Sequence, residues 1–253
     1  MTEIRSIYTL WLREVKRYLR DRLRLISGMV SPLLWLVIFG SVVRFPIQSG
    51  SLSSQQFLLP GIIGQTLLFT SMFVGISVIW DREFGFMKEI LVAPISRISI
   101  FLGKMLGDST DALIQGLVVV LFGVILAVTS NFLGLLAALP IMALITFGCV
   151  SLGLTIASFM TSLESFGTIV AFINLPLMFL SGALFPVSGP NVPPLLQIAS
   201  IFDPLTYGVD ALRIVILGEA WNPLFPLYYD ILVLCIFDIA VIALGTIFLT
   251  RKR

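Results

Sequence analysis

Residues 81–107 read DREFGFMKEILVAPISRISIFLGKMLG, a charged, proline-broken stretch set between long apolar runs. Within residues 82–91, Phe84, Met87, Ile90 and Leu91 fall at helical spacing, while Arg82, Glu83, Lys88 and Glu89 supply a polar surface. This spacing predicts a short amphipathic helix. Pro94 disfavours the α conformation at Ala93, so the helix is expected to end near there. The chain then turns through Ser96 and Arg97 and re-enters apolar sequence near Leu102. A short helix held along a membrane between two spans makes a good docking element for another protein. A solvated connector has the same pattern.

Outward from this stretch the composition is that of a membrane protein. The chain has 253 residues, 58% hydrophobic and only 12% charged, where soluble domains carry about 25% charged residues. It contains no His, which removes the usual general base and the commonest metal ligand. Cys149 and Cys235 both lie in apolar runs and read as packing residues. Residues 1–24 carry Ile4, Ile7, Tyr8, Trp11, Leu12, Val15, Leu19 and Leu23 on one helical face, with seven basic residues beside them. That predicts an amphipathic helix in the headgroup layer. Its apolar face argues against a nucleic-acid-binding arm. Six apolar segments follow, near 25–43, 56–80, 102–129, 132–160, 165–185 and 227–250, each long enough to span. The expected fold is therefore all-α, with residues 25–253 forming one six-span membrane domain.

Charge asymmetry orients it. Fourteen of the sixteen Lys and Arg residues lie at the N-terminus, in 81–104, or at the C-terminus, leaving only Arg44 and Arg213. Both termini and the 81–101 loop are therefore expected in the cytoplasm.

The stretch resembles the cytoplasmic loop of type-2 ABC exporter permeases, and most closely the daunorubicin-type drug-resistance branch. The matching residues are Asp81, Arg82, Glu83, Gly85, Leu91 to Pro94, Ser96, Arg97 and Leu102 to Lys104. A second match lies at Asp203 to Tyr207 and Asp210 to Arg213, similar to that family's Pro-Leu-x-Tyr and Ala-Leu-Arg signature. The resemblance implies that 81–101 is a coupling loop docking on a separate ATPase through Arg82, Glu83, Phe84, Gly85, Met87, Lys88 and Glu89. It further implies two ATPase subunits that bind ATP and Mg, a second copy of this chain or a close relative, and export of an amphiphilic drug or lipid from the plasma (inner) membrane. The same architecture could export a polysaccharide or lipid-linked glycan.

Residues 186–226 form an apolar connector broken by seven prolines. Pro193 and Pro194 can open one helix. Asp203 followed by Pro204 predicts an N-cap for a second, ending at Gly218, with Asp210 and Arg213 paired at i, i+3. Two short re-entrant helices are expected in the outer leaflet, including Asp203, Tyr207, Asp210 and Arg213. The resemblance implies a re-entrant pair at the same place.

Ionisable residues at membrane depth are costly and point to function. Lys104, Asp108, Asp111 and Gln115 form one polar stripe on the third span, where Lys104 and Asp108 can pair at i, i+4. With Asn174 of the fifth span they are the candidates for a translocation path; packing or headgroup contact is the competing reading. Asp230 is expected at the outer mouth, and Asp238 needs a partner at mid-span. Gly103 and Gly107 have the spacing of a helix-packing motif. No G-x-x-x-x-G-K-[ST] phosphate loop occurs. The chain is expected to bind no cofactor or metal and to carry no enzyme activity of its own. An ion-coupled secondary transporter is disfavoured by the lack of visible repeats.

Overall fold

The computed structural model describes residues 3–40, 52–85, 95–129, 131–189 and 192–251. Among them the chain is helical, without strands. Helix α1 spans Glu3–Arg20 and α2 spans Arg22–Leu34, continued by a π-helical turn at Trp35–Phe39. Next come α3 (Ser54–Phe73) and α4 (Ile76–Glu83), separated only by a turn at Val74 and Gly75. Long helices α5 (Arg97–Ile125), α6 (Phe132–Phe159) and α7 (Leu163–Leu180) follow. Two short helices, α8 (Pro194–Ile201) and α9 (Pro204–Leu217), precede the last, α10 (Leu227–Arg251).

Five helical segments are long and apolar enough to cross a membrane: Ser54–Glu83, Arg97–Ile125, Phe132–Phe159, Leu163–Leu180 and Leu227–Phe248. They match five of the six expected spans. In the region of the first, 25–43, the apolar helical stretch is the shorter Val30–Phe39, and the chain beyond residue 40 lies outside the described residues.

Helix ends are set by local chemistry. Ser53 and Gln56 form a reciprocal capping box at the start of α3. Ser96 Oγ accepts from Ser99 N at 3.1 Å to cap α5, and Ser162 caps α7. Asn131 caps α6 through Gly134 N at 2.9 Å. The same side chain donates Nδ2 to the Ile216 carbonyl at 3.1 Å. One amide thus ties the outer α5–α6 loop to the end of α9. As the sequence predicts, α8 opens at Pro193–Pro194 and α9 at Asp203–Pro204, where Asp203 accepts from Leu205 N at 2.9 Å. Gly218, at φ 59°, ends α9 in a left-handed conformation that suits glycine.

The core is built around α3. Its apolar window with α4 is 78% buried, against 22% for both α7 and α10, which leaves those two at the periphery. Leu58, Ile62, Ile63 and Leu67 of α3 meet a core shared with Met142, Ile145 and Leu212. Helix α9, expected to be re-entrant, packs against α6, α10 and α3 and is almost wholly buried. Such placement satisfies the condition that irregular backbone at membrane depth be enclosed by protein.

The N-terminal helix forms as expected and has a second, buried face that its hydropathy does not predict. Its apolar face is exposed at Ile4, Tyr8 and Leu19, and the buried stripe is instead Ser6, Leu10, Glu14 and Tyr18. These residues recur every four positions and face α5, so α1 makes the most extensive helix contact among the described residues. The two helices run parallel. Glu3 accepts from Ser96 Oγ at 2.8 Å, and further along Trp11 Nε1 donates to Thr110 Oγ1 at 3.0 Å. Gly103 and Gly107 make the seat: a Cβ there would lie 2.7 Å from Leu10 Cβ and 2.6 Å from Glu14 Cβ. At 29 residues α5 is about 43 Å long, more than the roughly 30 Å of hydrocarbon. Helix α1 lies along its first half, from Ser96 to Thr110.

Candidate functional site

Where α4 ends and α5 begins, charges from α1, α4 and α5 converge. Lys104 Nζ lies 2.7 Å from Asp81 Oδ2 and 3.3 Å from Glu14 Oε1. Arg13 completes the cluster, 3.1 Å from Asp81 Oδ2 and paired with Glu14. Ser77 Oγ accepts a further bond from Lys104 at 3.3 Å. Lys104 and Glu14 are 1% and 2% exposed, so the ammonium and the carboxylates are desolvated and must be matched. Arg17 Nη1 stands 3.8 Å from Glu14 Oε2, so three bases surround the two acids. Burial alone would raise the Glu14 carboxyl, but the charges of Lys104 and Arg13 outweigh it and hold Glu14 below the usual carboxylate range.

This arrangement corrects the local pairing read from sequence. Lys104 does not pair with Asp108, one turn away; it pairs with Glu14 and Asp81, 90 residues back and 23 residues back. A close pair between helices gains more from burial than a solvated i, i+4 pair does. Asp108, Asp111 and Gln115 are buried further along α5.

The cluster stands directly before the loop on which docking is expected. Arg82 and Glu83 form the last turn of α4, not the first turn of a new helix. The chain leaves the helix through Phe84 and then Gly85, at φ 77°, whose N donates to the Arg82 carbonyl at 3.1 Å. Left-handed backbone at Gly85 ends the helix, so the amphipathic helix expected over 82–91 does not begin at Arg82. Arg82 turns back and donates to the Met160 carbonyl at 3.3 Å, anchoring α4 to the end of α6. Phe84 projects outward, 82% exposed. Gly85 has open space where a Cβ would stand. Met87, Lys88 and Glu89 lie outside the described residues.

A second polar feature lies between α2, α3 and α5. A cleft of about 380 Å³ is lined by Trp35, Phe69 and Phe73 on its apolar side and by Gln65, Thr70 and Gln115 among its polar groups. Thr70 Oγ1 donates to Gln115 Oε1 at 2.7 Å. Gln65 Nε2 donates to Met178 Sδ at 3.1 Å, while its Oε1 is buried without a partner. Of the translocation-path candidates only Gln115 lines this cleft. Lys104 belongs to the charge cluster. Asn174 is buried on α7, which packs chiefly against α3, and its amide has no partner among the described residues.

The re-entrant residues form a third group. Asp210 accepts from Trp221 Nε1 at 2.7 Å and from Leu224 N at 2.8 Å. Arg213 donates to the Gly182 carbonyl at 2.7 Å and stacks 4.0 Å above the Phe57 ring. They do not form the expected i, i+3 ion pair, because backbone donors and carbonyls satisfy each separately; Trp221 touches both. Tyr207 donates to the Ile201 carbonyl at 2.8 Å, pinning α9 to α8. These roles are structural. Asp230, expected at the outer mouth, lies in the first turn of α10 and is fully buried. Asp238 packs its carboxylate against Gly148 of α6.

Residues 5–217 match the family described as ABC-2 type transporter. The chain belongs to that family. This permease is 32% identical to the putative transport permease ycf38 of Cyanophora paradoxa, over 93% of its own length and 86% of the relative's. Nodulation protein J of Rhizobium leguminosarum bv. trifolii is 28% identical, over 90% of the permease and 86% of that protein. The probable multidrug ABC transporter permease YbhR of Escherichia coli (strain K12) is 30% identical, covering 70% of the permease and 49% of the relative.

Sequence reasoning missed Glu14, Ser77, Gln65 and Thr70. Glu14 carried a signal, being the one acid among Arg13, Lys16 and Arg17 of a basic helix. Gln65 did too, as an amide inside an apolar span.

Proposed function

We propose that this permease is the membrane subunit of an ATP-driven exporter of an amphiphilic molecule such as a drug or lipid. Two copies, or one copy and a close relative, pair with two cytoplasmic ATPase subunits that carry the ATP and Mg. Residues 25–43 supply the first of six spans, and both termini face the cytoplasm of the plasma (inner) membrane. The observation that carries this reading is the buried charge cluster. It joins the N-terminal helix and both helices flanking loop 81–101 into one body, so a push on the loop is passed to α4 and α5 rather than absorbed locally. ATP binding on the partner then rearranges the spans by alternating access. Family membership and the multidrug relative support the reading. Export of a polysaccharide or lipid-linked glycan is the second reading, favoured by the uncharged, hydrogen-bonding lining of the α2–α3–α5 cleft.

Docking is tested at the exposed end of α4. Burying Phe84 against a partner is worth about 2–3 kcal/mol, enough to change complex lifetime about a hundredfold. Phe84→Ala and Gly85→Trp should leave the permease inserted but lose a co-expressed ATPase in pull-down, and with it export from vesicles. Failure of any ATPase to co-purify with the natural chain, together with normal export by Gly85→Trp, would sink the proposal.

A further inference from the structure

The α2–α3–α5 cleft has a chemistry of its own. It runs along α3 from Ile62 to Phe73, straddling the middle of the 30-residue helical segment Ser54–Glu83. If that segment crosses a bilayer, the cleft sits near the centre of the membrane. Its volume, about 380 Å³, falls in the range of roughly 300–1,000 Å³ typical of small-molecule sites. Ser31 and Phe73 stay exposed at its rim, so the cleft is open from the side.

Two features of the lining restrict what fits. Among the described residues no ionisable side chain lines it. A charged head drawn to this depth finds no counter-charge there, and burying an unpaired charge is costly. The polar atoms, moreover, ask for both halves of a hydrogen bond. Gln65 is 8% exposed and its Oε1 accepts from nothing. That oxygen needs a donor. Gln115 Oε1 is occupied by Thr70, which turns its amide nitrogen toward the role of donor and calls for an acceptor. A quaternary ammonium head offers no acceptor and a carboxylate no donor. A hydroxyl group offers both. Trp35, Phe69 and Phe73 add flat apolar faces against which a saturated ring can stack.

We propose that this cleft binds the uncharged, hydroxylated head of an amphiphile, a neutral glycosyl lipid being the fitting class, with its acyl chain leaving through the open rim toward the bilayer. The inference rests on the reading of the chain as a permease for amphiphiles and narrows its substrate class.

The test uses the full-length permease in phospholipid nanodiscs free of sugar-based detergent, without ATPase. One fluorescent acyl chain is prepared with three heads: a single glucose, a trimethylammonium and a free carboxylate. Anisotropy titration should show the glucosyl chain binding at least about tenfold more tightly than either charged chain, as expected where buried polar groups must be matched. Gln65→Leu should weaken glucosyl binding about tenfold, the loss of one buried hydrogen bond, with Gln115→Leu acting alike. A preference below tenfold, tighter binding of either charged chain, or unchanged binding in both variants would overturn the proposal. Because the comparison of heads is made on the natural protein, poorly folded variants do not rescue it. Failed selectivity leaves the exporter reading standing, whereas failure of an ATPase to co-purify leaves the binding result intact.

Discussion

Lys104 neutralises two carboxylates where neither can be hydrated, so its loss is felt through the charges left behind. Removing one partner of a buried pair typically costs about 3–5 kcal/mol. Lys104→Met is expected to destabilise the permease by that order. Adding Asp81→Leu should recover part of the loss, since the acid left behind, Glu14, keeps Arg13 and Arg17 as partners. Thermal unfolding of both variants in mild detergent measures this, and a double variant no more stable than Lys104→Met would contradict it. Acid provides an independent probe. The Glu14 carboxyl is held below its usual range, against burial, by Lys104 and Arg13. A group with a lowered folded pKa stabilises above its unfolded pKa, about 4.3 for Glu, and that contribution fades as pH falls through the folded value. Amide exchange in α1, corrected for intrinsic rate, should stay constant from neutral pH to about pH 5 and accelerate only below the usual Glu range.

Between elements, the contact of α1 with α5 depends on two absent side chains. Gly103→Leu or Gly107→Leu should unseat α1, because the added atoms would overlap Leu10 or Glu14. Gly167→Leu on α7, where a Cβ meets nothing within 4 Å, is the control. Trypsin cutting at Lys16 and Arg17 should speed up in the first two variants and not in the third. The contrast also shows what a sequence can disclose. Five of the six expected spans, the Asp203–Pro204 cap and the stop at Gly218 are written in local pattern and appear as read. The Gly103–Gly107 spacing was visible too, but not its partner. The buried stripe of α1 could not be read from hydropathy, since Ser6 and Glu14 are polar and become interior only by meeting α5. For the same reason Lys104 was assigned to Asp108: sequence offers the neighbour one turn away and hides the acid that the fold delivers. Asp210 and Arg213 repeat the lesson, their partners being backbone atoms of other segments.

For the whole molecule, burial is concentrated on α3 while α7 and α10 keep most of their apolar surface outward. That distribution suits a bundle whose outer helices meet lipid or a second subunit. The proposed orientation, with both termini in the cytoplasm, rests on the split of basic residues, fourteen against two. Ser188→Cys should react with an impermeant maleimide from outside sealed cells, and Arg253→Cys only after permeabilisation. Reaction of both from one side would make the number of crossings odd and break the proposed six-span arrangement.

The parallel seating of α1 on α5 also sets an order of events during synthesis. Helix α1 leaves the ribosome before the α5 residues on which it docks, Lys104 and Thr110 among them, which are made about ninety positions later. At 5–20 residues per second that is a wait of about 5–20 s. Throughout it Glu14 has no Lys104 beside it, and the growing chain must thread α3 and α4 into the bilayer before the gap is filled. The exposed face of Ile4, Tyr8 and Leu19 gives the waiting helix somewhere to rest, on the lipid surface. Its arrival on α5 then closes this end of the bundle only after α3, α4 and α5 have been made, so the seating of α1 reports that the middle of the protein is in place.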